Sequence, residues 1–457
     1  MIGFGHGIAL GSSLALAVLL SGCAHETAAD RAPRPDPVAR LAPAGESIWR
    51  ENLGDPALAD LLRRADLGAL DVKIALARLE RAQAEVDLAG AAAGPRLEAG
   101  VAGALGGRTF ASRRAVGAPT LEATYDFDVS GRIARLRQAA ASEWTASAAE
   151  VAGARLLVGA ETARAYVGLC AAQDELAAAG RRQTAAGRSM TLVRARLAEG
   201  LATGPDVETQ VAALDAATGA AQAARLAARS QAARLAALTG GPPLPEPAPA
   251  PPPAPPPAPC ALPDLPPASQ VVAADLGDGR PDVQAALARL QAADFRRAAA
   301  VAAERPQFLI SAVIGAPDAA IATLLDTRAL AWALAGRIGE TLLDAGAGRA
   351  RIRAAASEAD LADLAYRKTV LQGWTELRIA AMTEVAADER LAAARRADVR
   401  AQARLGVAQA RHDQGATDGL ALAQAREGLE QAHDLVRQAR LGAAEARIAR
   451  GLAGGGR

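Results

Sequence analysis

The run Leu20–Cys23 (Leu-Ser-Gly-Cys) has residue types and a position that suit covalent modification. It ends an apolar stretch, Ile8–Leu20, which is too short to span a bilayer as a folded helix and suits the core of a signal peptide. Small residues before a cysteine at this place are typical of the bacterial lipoprotein cleavage signal. The sequence therefore predicts that residues 1–22 are removed and that Cys23 carries several acyl chains, which anchor it firmly to a membrane.

This signal has one unusual feature. No lysine or arginine precedes Arg31, so the basic segment that normally opens a signal peptide is missing. An ordinary signal peptide, or a different start codon, is the alternative. The small, polar and proline-containing residues 23–47 are interpreted as a tether between the lipid and the fold.

The other residues capable of nucleophilic or metal chemistry are scattered. Cys170 and Cys260 form no CxxC pair and lie near no histidine cluster, so we expect no metal site and no cofactor. Cys170 is interpreted as a small apolar residue on a helix face. The sequence has no P-loop, HExxH or nucleophile elbow, which argues against an enzyme. The charge balance, 51 basic against 50 acidic residues, gives no reason to expect nucleic acid as a partner.

The chain contains nearly the same sequence twice. We divide it into two copies of a unit of about 210 residues, far longer than a solenoid repeat. The first copy covers 48–241 and the second 268–457, and the proline- and alanine-rich segment 242–267 between them is an extended linker. The matching pieces are Asp71–Leu79 with Asp282–Leu290, and Arg196-(x3)-Gly200-(x3)-Gly204 with Arg411-(x3)-Gly415-(x3)-Gly419.

Each copy is predicted to form a helix, a β-hairpin, a long helix, a turn and a returning helix, in that order. The first helix begins at Asp55-Pro56 and continues to about Leu88. The long helix from Ile133 to Arg196 lacks proline, and about 60 residues at 1.5 Å each give ~90 Å. Its counterpart runs from Ala350 to Arg411. The hairpins cover about 96–129 and 307–342, and the turns 198–205 and 412–419.

The hairpins have the alternation of strands with one apolar and one polar face. From Thr120 to Val129 every odd position is apolar and every even position polar. Aromatic residues are concentrated in these segments, which favours a membrane β-barrel over a soluble sandwich. In the second copy, Phe308, Ile310, Ala312 and Ile314 lie on one face, and Trp332, Leu334, Ile338 and Leu342 on another.

Four strands per chain cannot close a membrane barrel, and unpaired strand edges in lipid are prohibitively costly. Several chains must therefore pool their strands, and three chains give twelve. The predicted fold class is a mixed α+β membrane protein with two tandem structural repeats per chain. It forms a trimeric twelve-stranded transmembrane β-barrel that a long α-helical barrel continues.

The order of these motifs resembles the outer-membrane efflux protein family (TolC-like outer-membrane factors), in its lipoprotein branch associated with multidrug efflux. The resemblance covers nearly all of the mature chain. Its carriers are the run Leu20–Cys23, the opening Asp55-Pro56-(x)-Leu58, Asp126–Arg132, Arg280–Asp282, Leu343–Gly346 and the two Arg-(x3)-Gly turns.

The resemblance implies a homotrimer in the outer membrane of a Gram-negative bacterium, lipid-anchored and with most of the chain in the periplasm. It also implies two protein partners, a periplasmic adaptor and an inner-membrane pump of the RND type. The protein itself would be a passive exit duct for small molecules, surrounded by outer-membrane lipid.

The resemblance further implies roles for single residues. Family members meet the adaptor at the tips of their helical hairpins, which here match 196–206 and 411–422. Glycine is also needed at such reversals for its backbone freedom alone. The residues expected to contact the adaptor are Arg196, Gly200, Gly204, Arg411, Gly415 and Gly419.

Family members often narrow the periplasmic mouth with a ring of acids beyond the second turn. This sequence has Ala421 and Gln424 there, so the ring is shifted or absent. We hypothesise that Asp206 and Asp418 line the closed entrance. The strand acids expected to line the lumen, where simple solvation of a wide pore is the plainer alternative, are Glu122, Asp126 and Asp128.

Two other functions stay open at this stage. A lipid-anchored periplasmic coiled-coil scaffold without a pore would account for the helices, although it has no need of the alternating strands. Within the duct interpretation, type I protein secretion and metal-ion export compete with drug efflux, because the pump selects the cargo and the duct accepts it.

Overall fold

The structure, a computed structural model, describes residues 55–106, 114–241, 279–315, 319–320, 331–416 and 419–455. The elements of the first half are α1 (Pro56–Gly68), α2 (Leu70–Ala91), β1 (Arg96–Gly106), β2 (Arg114–Phe127), α3 (Arg132–Ala198) and α4 (Gly204–Leu238). Those of the second half are α5 (Pro281–Ala302), β3 (Gln307–Gly315), β4 (Ala319–Ala320), β5 (Ala331–Gly339), α6 (Ala347–Asp413) and α7 (Gly419–Ala453).

The helices of the two halves match in length. The long helices α3 and α6 each have 67 residues, and the returning helices α4 and α7 each have 35. Alanine-rich sequence without proline favours such long uninterrupted helices. Within the part of the chain that the structure describes, none of the helices combines the length and apolar character needed to cross a membrane.

The chain divides into two compact units. The sheet unit comprises Ala82–Trp144 and Arg289–Ala362 and contains the sheet. The helical unit comprises Pro43–Arg81, Thr145–Ala288 and Asp363–Arg457, as far as these ranges are described.

The sheet has the strand order β1-β2-β3-β5, with every neighbouring pair antiparallel. The two-residue strand β4 pairs with the first part of β2. Strands β1 and β5 form the two edges of the main path. Because directions alternate along a path of four strands, the two edge strands run in opposite directions.

The register places the predicted apolar residues on one face of the sheet. Leu97 of β1 lies opposite Ala123 of β2, which lies opposite Ala312 of β3, which lies opposite Leu334 of β5. Paired residues share a face, so the two apolar sets of the second hairpin, expected on separate faces, belong to the same one. Trp332, Leu334 and Ile338 on this face are 78%, 68% and 71% exposed.

The helical unit has its main core where four helices meet. Leu58 and Leu62 of α1, Leu235 of α4 and Ile448 of α7 pack against one face of α3. That face includes Leu156, Ala160, Ala163, Val167 and Cys170, which recur at coiled-coil spacing.

Smaller clusters of the helical unit consist almost wholly of alanine. Ala146 and Ala149 of α3 pack against Ala285 and Ala288 of α5. Ala387 of α6 packs against α7 through Ala443 and Ala446. Small side chains let the helix backbones approach closely, which explains how a chain with 3% aromatic residues forms long packed helices.

The structure corrects three predicted boundaries. The first helix is broken after Gly68, because Ala69 has an extended backbone (φ −62°, ψ 131°) and the Gly68 backbone lies against that of Thr239 with no room for a side chain. Strand β2 starts at Arg114, earlier than the alternation indicates, and ends at Phe127. Leu342 lies beyond the end of β5.

Candidate functional site

The first hairpin tip, between α3 and α4, ends the long helix with a Schellman motif. The amide of Leu201 donates to the carbonyl of Arg196 at 2.8 Å, and that of Gly200 to Leu197 at 3.0 Å. Gly200 has φ +72°, the left-handed conformation that this motif requires. In this motif the residue whose carbonyl accepts the longer-range bond, here Arg196, lies four positions before the left-handed residue. This requirement explains the Arg-(x3)-Gly spacing.

The second tip, between α6 and α7, repeats this geometry. The amide of Ala416 donates to the carbonyl of Arg411 at 2.8 Å, and that of Gly415 to His412 at 2.9 Å. Gly415 has φ +69°. The two sequence motifs thus form the same helix ending.

The other glycine of each tip has no such requirement. Gly204 and Gly419 begin the returning helices, have no positive φ, and are surrounded by open space where a side-chain carbon would stand. Backbone conformation therefore explains why glycine occupies positions 200 and 415. It gives no reason for glycine at Gly204 and Gly419.

The predicted aperture acid Asp206 belongs to a capping box at the start of α4. Its carboxylate accepts the backbone N–H of Thr203 at 2.8 Å and the Thr203 hydroxyl at 2.7 Å. These hydrogen bonds, the side-chain one first, hold the pKa of Asp206 below its usual value. Asp418 lies outside the described residues.

The tips are exposed in the described chain. Arg196, Arg411 and the four tip glycines are all solvent-accessible, and Leu201 is 72% exposed. Exposed apolar Leu201 and exposed Arg196 together give this tip a surface of mixed character.

The three strand acids lie in different settings. Glu122 is an exposed residue of β2, whereas Asp126 pairs with Arg132 at 3.1 Å. Asp128 is not on the strand, which corrects the sequence prediction. It follows β2, and its carboxylate accepts the backbone N–H groups of Ile133 at 2.9 Å and Ala134 at 2.7 Å. Asp128 thus caps α3.

The second hairpin enters its long helix by an analogous cap. Asp344 accepts the amide of Gly346 at 2.8 Å and also that of Gly348. These backbone hydrogen bonds lower the pKa of Asp344, the one from Gly348 most. The motif Leu343–Gly346 is therefore a helix start, as Asp126–Arg132 is in the first copy.

The motif Arg280–Asp282 forms a charged cluster in the helical unit. The buried Arg280 side chain donates to both oxygens of Asp282 at 3.0 and 2.8 Å, to Glu376 of α6 at 2.7 Å and to the carbonyl of Ala453 at 2.8 Å. Burial opposes the charge of Asp282, but the bonds from Arg280 outweigh it and lower its pKa. One arginine thus joins the start of α5 to α6 and the end of α7.

A second charged cluster, which sequence reasoning missed, lies between α6 and α7. Buried Glu384 accepts from Arg450 at 2.5 Å and has Arg447 at 3.7 Å. Arg447 also pairs with Asp388 at 3.0 Å. The two acids are four residues apart on α6 and the two arginines three apart on α7, so each pair lies on one face of its helix.

Two other predicted features have different outcomes. Cys23, the predicted lipid acceptor, lies outside the described residues, as does the linker. Cys170 is fully buried, as its interpretation as an apolar residue requires, but it is disulfide-bonded, which that interpretation did not include. Among residues 55–455, as far as they are described, no group of His, Cys, Asp and Glu is arranged to hold a metal ion.

Comparison with known proteins gives consistent matches. The chain is 28% identical over 313 residues to the outer membrane protein OprJ of Pseudomonas aeruginosa, and this match covers 67% of the chain but only 63% of OprJ. Among solved structures, the outer-membrane channel OprN is similar with a TM-score of 0.75 and 26% identity, over 90% of this chain and 92% of that one.

The outer membrane protein VceC of Vibrio cholerae, 24% identical, has the same fold with a TM-score of 0.75, over 89% of this chain and 98% of that one. A sequence model described as "Outer membrane efflux protein" matches residues 61–241 and again 274–454, which together are most of the chain. The chain belongs to the outer membrane efflux protein family.

Proposed function

We propose that this protein is the outer-membrane exit duct of a tripartite efflux system, and that it passively conducts small molecules. It would be a homotrimer, anchored through lipid on Cys23, that receives its cargo from a periplasmic adaptor and an inner-membrane pump of the RND type. The single observation that carries this proposal is an open sheet with an even number of main strands, two unpaired edges and one exposed apolar face.

The edges support closure between copies. In the described chain, β1 and β5 each have one side without a strand partner. Since they run in opposite directions, β5 of one copy can pair with β1 of the next in the same antiparallel manner as the pairs within a chain. Repeating this contact closes a ring without edges, which is the condition for strands in lipid.

The exposed face supports lipid rather than a second protein layer. A soluble sandwich buries one face of each sheet against another sheet. Here Trp332, Leu334 and Ile338 are mostly exposed, and the apolar face continues across all four strands. Membrane lipid suits such a face.

The first experiment tests the edge pairing by cysteine cross-linking. Leu97→Cys in β1 is combined, one at a time, with Trp332→Cys, Leu334→Cys or Ile338→Cys in β5. Within one chain these strands are separated by two others, about 14 Å, which a disulfide cannot bridge. We expect one of the three pairs to give linked dimers and trimers in membranes.

The matched control uses the opposite face. Leu97→Cys combined with Ala333→Cys has side chains on different sides of the sheet, so no link is expected. The duct would be contradicted if none of the three same-face pairs formed a link and the protein became a water-soluble monomer once the lipidated cysteine was removed. That result would favour the coiled-coil scaffold.

A second experiment measures conduction. Purified protein added to a planar bilayer is expected to give discrete single-channel steps, and a strain without its own efflux duct should regain dye export when this chain is produced with its adaptor and pump. Export of a protein or a metal ion instead, with the same channel steps, would retain the duct and change its cargo.

A further inference from the structure

Each long helix begins with a stretch of sequence that contains arginines and no acid. Three arginines lie between Asp128 and Glu143, and three more lie between Asp344 and Glu358. In both copies an arginine stands seven and nine residues after the aspartate that caps the helix. The chain as a whole is balanced, with 51 basic and 50 acidic residues, so these stretches depart from it locally. The six residues are Arg132, Arg135, Arg137, Arg349, Arg351 and Arg353.

These positive charges stand where a helix favours negative ones. The N-terminus of a helix carries a partial positive charge, yet neither α3 nor α6 has an acid in its first turn. Within the described chain, Arg132 pairs with Asp126 and Arg351 lies near Asp344, whereas the other four arginines form no ion pair. All except Arg132 are exposed. A bound anion would therefore relieve the repulsion in both stretches.

Both stretches lie at the same end of the sheet. Phe127, the last residue of β2, pairs with Phe308 near the start of β3, and Gln307 pairs with Gly339, the last residue of β5. The helices α3 and α6 begin within eight residues of these two strand ends. All six arginines belong to the sheet unit. The two copies thus present the same charge at one end of one sheet.

Exposed apolar side chains stand between the strands and the arginines. Val129 follows β2 and is 68% exposed, and Leu342 and Leu343 follow β5 and are 90% and 91% exposed. Along α3, Arg132 and Arg137 are separated by about 7.5 Å, which fits the roughly 5–8 Å depth of one layer of lipid headgroups. The order from apolar strand to exposed leucine to arginine follows the order from hydrocarbon to phosphate in a bilayer.

We propose that the five exposed arginines at the starts of α3 and α6, the arginine belt, bind the phosphate groups of anionic phospholipid. This inference rests on the proposed function, which places the sheet in the outer membrane and the helices in the periplasm. The lipid is therefore that of the leaflet facing the periplasm. Guanidinium groups suit phosphate because they donate two parallel hydrogen bonds to it. The belt would fix how deep the barrel sits in the membrane.

Lipid retention by the full-length protein tests the belt. The purified protein is mixed in detergent with equal amounts of phosphatidylglycerol and phosphatidylcholine of the same acyl chains, and the bound lipid is counted by mass spectrometry after gel filtration. The wild type should retain at least about fivefold more phosphatidylglycerol, the contribution of a single arginine near an anionic surface. The preference should fall in 1 M salt, where charges are screened beyond about 3 Å.

The belt variant removes the five charges together and should bind both lipids equally. It combines Arg135→Gln, Arg137→Gln, Arg349→Gln, Arg351→Gln and Arg353→Gln. A version with lysine at these five positions keeps the charge and should recover part of the preference.

The matched control loses the same charge from exposed arginines of the helical unit and should behave as the wild type. It combines Arg188→Gln, Arg194→Gln, Arg225→Gln, Arg229→Gln and Arg404→Gln. An unchanged preference in the belt variant, or an equal loss in the control, would overturn the proposal.

Photo-cross-linking in cell envelopes gives a second measurement that needs no arginine variant to fold. Leu343 is replaced by the photoreactive amino acid p-benzoylphenylalanine, and the equally treated control position is the exposed Leu201 of the first tip. Irradiation should add the mass of a phospholipid at position 343 and not at 201. An adduct with peptidoglycan, or only with a second copy of the chain, would contradict a lipid contact at this end of the sheet.

Channel recordings of the same preparation separate this inference from the proposed function. Wild type that conducts but shows no headgroup preference overturns only the arginine belt. Wild type that prefers phosphatidylglycerol through these arginines but gives no channel steps overturns only the duct.

Discussion

The hydroxyl of Tyr166 on α3 donates a hydrogen bond to the carboxylate of Asp55, whose other oxygen accepts the amide N–H of Ala57 at 2.8 Å. One carboxylate therefore caps the first helix and joins it to the long helix. Burial, with a smaller contribution from Asp55, raises the pKa of Tyr166. The family motif Asp55-Pro56-(x)-Leu58 is in this respect a tertiary contact as well as a helix start.

Replacing Tyr166 by phenylalanine should cost about 1 kcal/mol, because one hydrogen bond is lost and the ring stays packed. Asp55→Ala should cost about 2 kcal/mol, since it removes the cap and also leaves a buried hydroxyl without its acceptor. Thermal unfolding of the purified protein in detergent measures both. Equal effects of the two variants would contradict the double role of Asp55.

The raised pKa of Tyr166 gives this contact a pH dependence. Its contribution to stability is complete below the unfolded pKa, about 10, and is lost as the pH rises towards the higher folded value. The wild type should lose more stability than Tyr166→Phe between neutral and strongly alkaline pH. Parallel curves for the two proteins would reject this assignment.

The tip glycines give a paired prediction. Gly200→Ala and Gly415→Ala force a side chain into the left-handed region, which costs about 1–2 kcal/mol each. Gly204→Ala and Gly419→Ala meet open space and should change stability by less than about 0.5 kcal/mol. Loss of adaptor binding by Gly204→Ala, in a pull-down with the folded protein, would then indicate a contact at that surface.

Asp128→Ala should destabilise the protein by about 1–2 kcal/mol, because two N–H groups at the start of α3 lose their acceptor. Glu122→Ala, on the exposed strand surface, is the matched control and should stay within about 0.5 kcal/mol. Chemical unfolding in detergent compares them. An effect on single-channel ion selectivity from Glu122→Ala, with none on stability, is expected of an acid that faces the lumen.

Two substitutions test whether Asp206 lines the closed entrance and separate that role from its role in the capping box. Asp206→Ala removes the charge and the capping box, whereas Thr203→Ala removes the capping partner and keeps the charge. If Asp206 lines the closed entrance, only Asp206→Ala should alter single-channel conductance strongly. Wild-type conductance of Asp206→Ala, or equal changes in both variants, would reject an electrostatic role at the mouth.

Arg280→Lys should cost about 2 kcal/mol, because a lysine cannot reproduce the forked bonds to Asp282, Glu376 and the Ala453 carbonyl. Glu376→Gln keeps an acceptor oxygen and removes only the charge of an exposed partner, so it should cost less than about 1 kcal/mol. The lowered pKa of Asp282 means that its contribution is present above about pH 4 and is lost as the pH falls further. Acid unfolding of the wild type and Arg280→Lys should therefore converge.

Local patterns in the sequence predicted most of the elements. The period of two predicted β2 because one apolar face of the sheet imposes it, and the proline-free run predicted the long helix α3. The same alternation was misleading at Asp128, where an acid in phase with the strand turned out to cap the next helix. A glycine three residues after the carboxylate, here Gly131 with φ +73°, is the signal that separates the two cases.

Features that depend on distant parts of the chain were not predictable in this way. The break after Gly68 arises from its backbone contact with Thr239, and the Glu384 cluster from the packing of α6 against α7. The disulfide bond of Cys170 likewise has no local pattern in the sequence around that residue. The capping role of Asp206 was in principle visible, because Thr203 lies three residues before it.

The Schellman endings at Gly200 and Gly415 limit how any visiting protein can recognise these reversals. The amides and carbonyls of these two Schellman motifs already form hydrogen bonds within the chain. A partner protein therefore has few free backbone groups here with which to extend a strand or a helix. Any selectivity for a partner at these tips must then come from the exposed side chains of Arg196, Arg411 and Leu201. If a partner protein binds at these tips, exchanging the projecting side chains between related proteins should change which partner is bound.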